Sequence, residues 1–200
     1  MPLQNRVDPF GELFRTTARG TFLGNRGGAI HNEHREIVRP YKSRQWISCV
    51  LEFKGRRRVV MTPRRYTELF FLDEAVAFSA GHRPCCECRR ERFNAFKRAW
   101  GRPARAPEID VELHGARLDS RKRKLTYQAP LESLPNGSFV NIDGSAWLVW
   151  DDALALWSPA GYVRKDPRPP HQIATVLTPE PIIRCFQNGY VPETHPSLHV

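Results

Sequence analysis

Short runs of apolar and β-branched residues recur along the chain, each bounded by turn residues, and they predict β-strands. In the first half the runs are residues 11–23, which lead into a glycine-rich turn at 24–28, and then 46–53, 56–61 and 66–72. A turn at Lys54-Gly55 would make 56–61 the hairpin partner of 46–53. Because the runs are short, they favour an antiparallel sheet.

Two helices are predicted after these strands. Asp73 has the side chain of an N-cap, residues 74–80 fit one short helix, and Gly81 fits the position that follows a helix end. A second helix would begin at Pro84, since proline is tolerated in a first turn, and would continue to Trp100. Residues 101–107 contain two prolines and a glycine, which is typical of a linker.

The second half of the chain predicts a β-rich module. Its runs are 138–142, 146–150 and 173–177, followed by a helix over 179–188. The apolar positions between 109 and 118 fit either a strand or a short helix. The basic run at 121–124 is interpreted as a solvated loop or a phosphate contact.

Composition and charge narrow the class of protein. The 200 residues are 40% hydrophobic, enough for one domain or two small ones, and no apolar stretch approaches the roughly 18 residues of a membrane span. We therefore expect a cytoplasmic protein with no membrane contact. Residues 1–125 hold a net charge of +13 and residues 126–200 one of −3. Such an excess indicates an anionic partner, and nucleic acid is the commonest.

The cysteines supply the clearest candidate chemistry. Cys85 and Cys88 have the C-x-x-C spacing that places two thiolates on one tetrahedral zinc ion, and five cysteines fit a metal site better than a disulfide framework. The alternative is that both are small buried apolar residues. Cys49, in a predicted strand, is the preferred third ligand, although it too could belong to the core. Cys86 is expected to point away from the ion and Cys185 to lie in the core.

A fourth ligand is required because structural zinc sites are nearly always four-coordinate. His31 is the first candidate and His34 the second. His82 follows them, since it precedes the Pro84-Cys85 turn and could instead stack or form a hydrogen bond.

Residues 70–89 carry a family resemblance. The segment F-F-L-D-E-A-V-A-F-S-A-G-H-R-P-C-x-x-C-R resembles the second half of the Ada-type zinc-binding domain. The resemblance implies zinc held by cysteines beside a DNA backbone, with Cys49 in the position of the cysteine that accepts a methyl group. Where that family has its next cysteine this chain has Phe53, so a histidine would have to complete the shell. The resemblance therefore supports zinc and nucleic acid more than repair.

Basic residues surround the predicted helix and hairpin and are the candidate nucleic-acid contacts. Arginine guanidinium groups grip phosphate oxygens in pairs, and each contact makes binding more dependent on salt. The candidates are Arg56, Arg57, Arg58, Arg64, Arg65, Arg89, Arg90 and Lys97.

An enzyme acting on nucleic acid is the alternative hypothesis. His31, Glu33 and His34 form a cluster near the glycine-rich turn that would suit metal-assisted phosphodiester hydrolysis, with histidine as general base. Glu52 and Glu68 are further acidic candidates. A nucleic-acid deaminase is a weaker match, because Glu33 lies far from Pro84. A third hypothesis is a zinc-containing protein that binds an acidic protein partner.

Together these patterns predict an α+β protein with a small antiparallel sheet and a zinc-bearing helix, followed by a small β-rich module. The expected segments are 1–29 as an N-terminal strand and glycine-rich loop, 30–100 as the zinc-binding module, 101–125 as a basic linker, and 126–200. The predicted function is zinc-dependent nucleic-acid binding, with DNA favoured over RNA. A metal-dependent nuclease is the alternative.

Overall fold

The chain forms two six-stranded, mostly antiparallel sheets, which with four α-helices make an α+β protein. These counts hold for residues 1–55 and 59–200, which a computed structural model describes. Arg56, Arg57 and Arg58 lie outside the described residues. None of the described helices has both the length and the apolar character needed to cross a membrane.

The first sheet is built from residues 4–84. Its strands are β1 Gln4–Val7, β2 Leu13–Arg15, β3 Phe22–Arg26, β4 Trp46–Val50, β5 Leu69–Phe71 and β6 Arg83–Pro84, in the spatial order β2-β1-β5-β3-β4-β6. The pairs β1–β5 and β4–β6 are parallel, and the others are antiparallel. The strands before residue 29 thus pair with strands beyond it.

The second sheet is a separate antiparallel arrangement. Its strands are β7 Tyr127–Pro130, β8 Phe139–Ile142, β9 Ser145–Trp150, β10 Ala153–Ser158, β11 Gly161–Pro167 and β12 Ile173–Val176, in the order β11-β10-β9-β8-β12-β7. The helices are α1 Glu74–Ser79, α2 Arg90–Ala99, α3 Ala106–Arg117 and α4 Glu180–Gln187. The ambiguous segment around residue 109 is therefore helical.

The second sheet is buried on both faces, because consecutive residues of β9 enter different hydrophobic clusters. Trp147 and Val149 pack with α2, α3 and α4, whereas Ala146 and Leu148 pack with α1 and the first sheet. This alternation is the period of two expected of a strand. The core consequently runs across the expected boundary at residue 125.

The structure confirms the predicted turn at Lys54-Gly55 but differs from two other predictions for the first half of the chain. Gly24 is inside β3, opposite Ser48, and not in a turn. A Cβ at this position would lie 2.7 Å from the Phe71 ring and closer still to the Ile47 carbonyl oxygen, so the glycine is needed for close packing. The partners of β4 are β3 and β6, and residues 59–61 are not in a strand. The hairpin predicted for 56–61 is thus not formed by its described part.

The helix predicted to start at Pro84 begins only at Arg90. Pro84 is instead in β6, at the edge of the sheet, where the N–H that proline lacks is not needed. Asp73 is confirmed as the N-cap of α1, because its side chain accepts a hydrogen bond from Val76 N at 2.9 Å. Gly81 follows that helix with a φ of 80°, as predicted.

Candidate metal centre

Three thiols from two separate segments of the chain converge beside the first sheet. The Sγ atoms of Cys49, Cys85 and Cys88 all lie within 4.8 Å of one another, which is close enough for one metal ion. Cys49 belongs to β4, and the other two lie in the turn between β6 and α2. The three residues could therefore bind a metal ion through three sulfur ligands.

Parallel pairing between β4 and β6 positions the first two thiols. Ser48 is opposite Pro84, and Cys85 N donates to Ser48 O at 2.9 Å, so Cys49 and Cys85 occupy neighbouring positions one step along the two strands. The chain then turns, with Arg89 N donating to Cys85 O at 3.2 Å. This turn returns Cys88 to the same side as Cys85.

The surroundings of the thiols favour a negative charge on the sulfur of Cys85. Glu87 N donates to Cys85 Sγ at 3.4 Å. A hydrogen bond from Cys49 lowers the pKa of Cys85 to about 2, whereas hydrogen bonds to Cys85 and Cys88 raise the pKa of Cys49. Metal binding requires deprotonated thiolates, so a bound cation would displace the protons of these thiols.

Arg89 holds the turn that carries Cys85 and Cys88 in place through ion pairs. Its Nη1 donates to Glu74 Oε1 at 2.6 Å and its Nη2 to Glu193 Oε2 at 3.0 Å, while its guanidinium carbon lies 4.5 Å from the centre of the Phe22 ring. The Arg89 side chain is almost fully buried. Arg89, a candidate nucleic-acid contact, is therefore committed to internal ion pairs.

Glu74 is the centre of that network. Its carboxylate also accepts from Arg92 Nη2 at 2.7 Å, Tyr190 OH at 2.7 Å and Glu193 N at 2.9 Å. The glutamate is fully buried and connects α1, the start of α2 and the C-terminal segment. Sequence reasoning missed this role, because nothing local distinguishes Glu74 from an exposed acidic residue in the first turn of a helix.

Arg83 holds the other side of the turn. Its Nε and Nη2 each donate to Asp110 of α3 at 2.8 Å, and its Nη1 reaches Cys86 Sγ at 3.4 Å. Cys86 is not part of the three-thiol group, in agreement with the prediction that it points away. Cys185 is buried in the core near α2 and α3, as expected.

The predicted histidine ligands have other surroundings. His31 is buried, with Nδ1 2.6 Å from Thr67 Oγ1 and Nε2 3.2 Å from Thr62 O, and it is outside the thiol group. His34 is exposed. His82 is fully buried between Trp46 and Phe71, and burial lowers its pKa well below the ordinary value. Within the described residues, no histidine joins the three cysteines.

A cavity of about 340 Å³ opens beside the thiols, and we call it the thiol cavity. Its walls are largely apolar. The lining comprises Leu23, Asn25, Ile47, Cys49, Val50, Leu51, Phe53, Val60, Tyr66, Glu68, Phe70, Cys85, Glu87 and Cys88. Phe53, at the position where the resemblance implies a further cysteine, thus lies on the cavity wall.

Glu68 is the buried acid of this cavity. It is 2% exposed, and its Oε2 accepts from Met61 N at 2.8 Å. Glu52 and Glu33 are exposed, and Glu33 pairs with Arg64 at 3.5 Å. The structure therefore brings Glu68, and not the His31, Glu33 and His34 cluster, to the cavity that holds the thiols.

The remaining basic candidates lie at the surface. Arg64, Arg65 and Arg90 are exposed and Lys97 is partly exposed. Arg64 and Arg65 directly precede Tyr66, a wall residue of the thiol cavity. Comparison of the chain with protein-family models, with curated proteins and with solved structures gives no match.

Proposed function

We propose that the chain is a zinc-containing nucleic-acid-binding protein whose Zn²⁺ is held by Cys49, Cys85 and Cys88. The observation that carries the proposal is the convergence of three sulfurs within 4.8 Å from two separate segments. Thiolates are soft ligands that favour zinc over magnesium or calcium. The C-x-x-C spacing and the resemblance of residues 70–89 to the Ada-type domain support the same metal.

Charge supports nucleic acid as the partner, with DNA favoured over RNA. Residues 1–125, which also hold the thiols, carry a net charge of +13, whereas the whole chain carries +10. Arg64, Arg65 and Arg90 are exposed and can reach phosphate oxygens. Such binding would weaken steeply with salt, because phosphate contacts release counterions.

The test has two measurements. Elemental analysis of protein purified without added metal should give about one zinc per chain, and Cys85→Ser should lose it while Cys86→Ser keeps it. Titration of labelled duplex DNA and RNA at 50 and 200 mM salt should then give tight binding only at the lower concentration. Protein free of zinc, or binding that salt does not change, would contradict the proposal.

A catalytic zinc is the second candidate, since three protein ligands leave one position for water or substrate. The specific observation is that Glu68 is buried in the wall of the cavity that contains the thiols. A buried carboxylate there could take a proton from a zinc-bound water.

Plasmid, single-stranded DNA and RNA should be incubated with the zinc-loaded protein and with its Glu68→Gln variant. Activity that Glu68→Gln abolishes and Glu33→Gln leaves intact would support an enzyme. Absence of any cleavage by protein that holds stoichiometric zinc would exclude this candidate and leave the binding function in place.

A further inference from the structure

A second cavity, of about 270 Å³, contains an unusual concentration of positive charge. Its polar lining is Gln4, Glu12, Arg26, Arg117, Lys122 and Lys124, and we call it the cationic cavity. Four cations thus face one carboxylate. Phe10, Leu13, Ile37 and Trp46 supply apolar walls.

Arg26, at the end of β3, is buried and has no ion pair with an acidic residue of the described chain. It is 4% exposed, and its guanidinium donates to the carbonyl oxygens of Gly11, at 2.7 Å, and Pro40, at 3.4 Å. Among the described residues, its Nε has no hydrogen-bond partner. A guanidinium has five N–H donors, so part of this capacity is unused.

Arg117, at the end of α3, has the same character. It is 2% exposed, with Nη1 donating to Gly81 O at 2.8 Å and Nη2 to Arg44 O at 2.7 Å, and Nη2 is also 3.0 Å from His114 Nδ1. Its Nε has no hydrogen-bond partner among the described residues. The guanidinium carbons of Arg26 and Arg117 lie 4.2 and 3.9 Å from the centre of the Trp46 ring. One indole therefore packs against two buried cations, and like charges buried in one site favour the binding of an anion.

Lys124 completes the set from the loop after α3. Part of its chain is exposed, but its ammonium group is enclosed and donates to Ser79 O at 2.5 Å. Burial, together with the charge of Arg26, lowers the pKa of Lys124 to about 7. Within the part of the chain that the structure describes, neither arginine nor this lysine forms an ion pair.

We propose that the cationic cavity binds a phosphate monoester group. Two guanidinium groups and an ammonium match the charge and the several acceptor oxygens of a phosphate dianion. A ligand with a single carboxylate would leave part of their charge and donor capacity unmatched. The apolar walls and the Trp46 ring provide contact for the organic part of the ligand. The site uses none of the three thiols and is independent of the proposed zinc function.

Binding should be measured by calorimetry with inorganic phosphate, a nucleoside 5′-monophosphate and the unphosphorylated nucleoside, at constant ionic strength in chloride. Both phosphates should bind, the nucleoside should not, and Lys124→Met should weaken binding about tenfold or more, because a charge-assisted hydrogen bond is lost. Arg123→Met is the matched control, since Arg123 is exposed and pairs with Asp119.

A second readout uses the unmodified sequence and stays informative if Lys124→Met does not fold. After reductive ¹³C-methylation, one lysine signal should titrate near pH 7, and saturating phosphate should move that titration to higher pH. Absence of heat at 10 mM phosphate together with an unmoved titration would overturn the proposal, as would an equal loss of affinity in Arg123→Met.

Oligonucleotides identify the source of the group. A 5′-phosphorylated strand that binds more tightly than its 5′-hydroxyl counterpart, with Lys124→Met removing the difference, would assign the cavity to nucleic-acid ends. Equal binding of the two strands, with the monophosphate still bound, would assign it to a small phosphorylated molecule.

Discussion

The two faces of the β3–β4 pair carry opposite chemistry. Leu23, Asn25, Ile47 and Cys49 line the thiol cavity, whereas Arg26 and Trp46, out of phase with them along the same strands, line the cationic cavity. Successive residues of a strand point to opposite faces, so two strands can supply both sites. One site gathers sulfurs that suit a cation, and the other gathers cations that suit an anion.

The two sites also differ in how the chain builds them. Two of the three thiols come from a four-residue turn, and parallel strand pairing adds the third. The cations of the other site come from β3, the end of α3 and the loop that follows it. One pair of strands can therefore support two kinds of site. In one, most of the residues are close in sequence, and in the other, only the tertiary fold brings the residues together.

The largest effect should come from removing one of the three thiols. We expect Cys85→Ser to lower the free energy of unfolding by about 5 kcal/mol or more, because the metal binds the folded chain and its binding energy contributes to folding. Chelator treatment of the unchanged protein should give a similar loss in thermal denaturation. Cys86→Ser should change stability by less than about 1 kcal/mol. A chain that melts alike with and without chelator would contradict the metal assignment.

Removing the support of the thiol turn should have the next largest effect. Glu74→Gln would leave the buried guanidinium of Arg89 with a neutral partner in place of a carboxylate. Breaking a buried ion pair lowers the free energy of unfolding by about 3–5 kcal/mol. Loss of this outer support should also reduce zinc affinity about 10- to 100-fold. Competition with a chromophoric chelator measures the affinity, and Glu91→Gln on the exposed side of α2 is the control. Unchanged affinity in Glu74→Gln would show that the turn needs no such anchor.

On the cationic side, the expected effect is a pH dependence. The folded-state pKa of Lys124, about 7, is below its ordinary value of 10.5, so between these values the unfolded chain binds the additional proton. Stability should therefore rise with pH across this window, by at most about 1.4 kcal/mol per unit. Burial and the charge of Arg26 favour the neutral lysine, while Asp8 and Glu12 oppose them. Arg117 and Lys122 are the other cations that line the cavity.

Chemical denaturation from pH 6.5 to 10, in phosphate-free buffer with zinc present, measures this contribution as the difference from Lys124→Met. The variant should lack the rise, and Arg123→Met should retain it. Parallel curves for the unchanged protein and Lys124→Met would show that the ammonium group is not enclosed in solution.

The smallest expected effect tests which face nucleic acid approaches. Arg65→Ala, next to the wall of the thiol cavity, should weaken DNA binding severalfold and reduce the slope of log K against log salt by about 0.9. For duplex DNA without a 5′-phosphate, the slope of log K against log salt should be the same for Lys124→Met as for the unchanged protein. Binding titrations at four salt concentrations measure both values, and the reverse result would place the duplex on the cationic side.

Much of the first site could be predicted from local patterns. The spacing of Cys85 and Cys88 predicted that they bind one ion together, and the apolar run around Cys49 predicted a strand, which the structure confirms as β4. The pairing of β4 with β6 was not predicted. The predicted helix through these cysteines was wrong, since Cys85 N continues the strand pairing and delays α2 to Arg90. Glu68 was one of three acidic candidates, with Glu33 and Glu52, and only its burial distinguishes it.

The sequence by itself determined the α+β class, the N-cap at Asp73 and the pairing of Cys85 with Cys88, because each depends on residues a few positions apart. The tertiary structure decided which strands pair, why Gly24 lies inside β3, and that Glu74 and Arg89 are buried together. It alone decided that Arg26, Arg117 and Lys124 line one cavity with Trp46. Their separation along the chain gives no periodic signal, and a basic residue looks the same in sequence whether water or protein surrounds its charge.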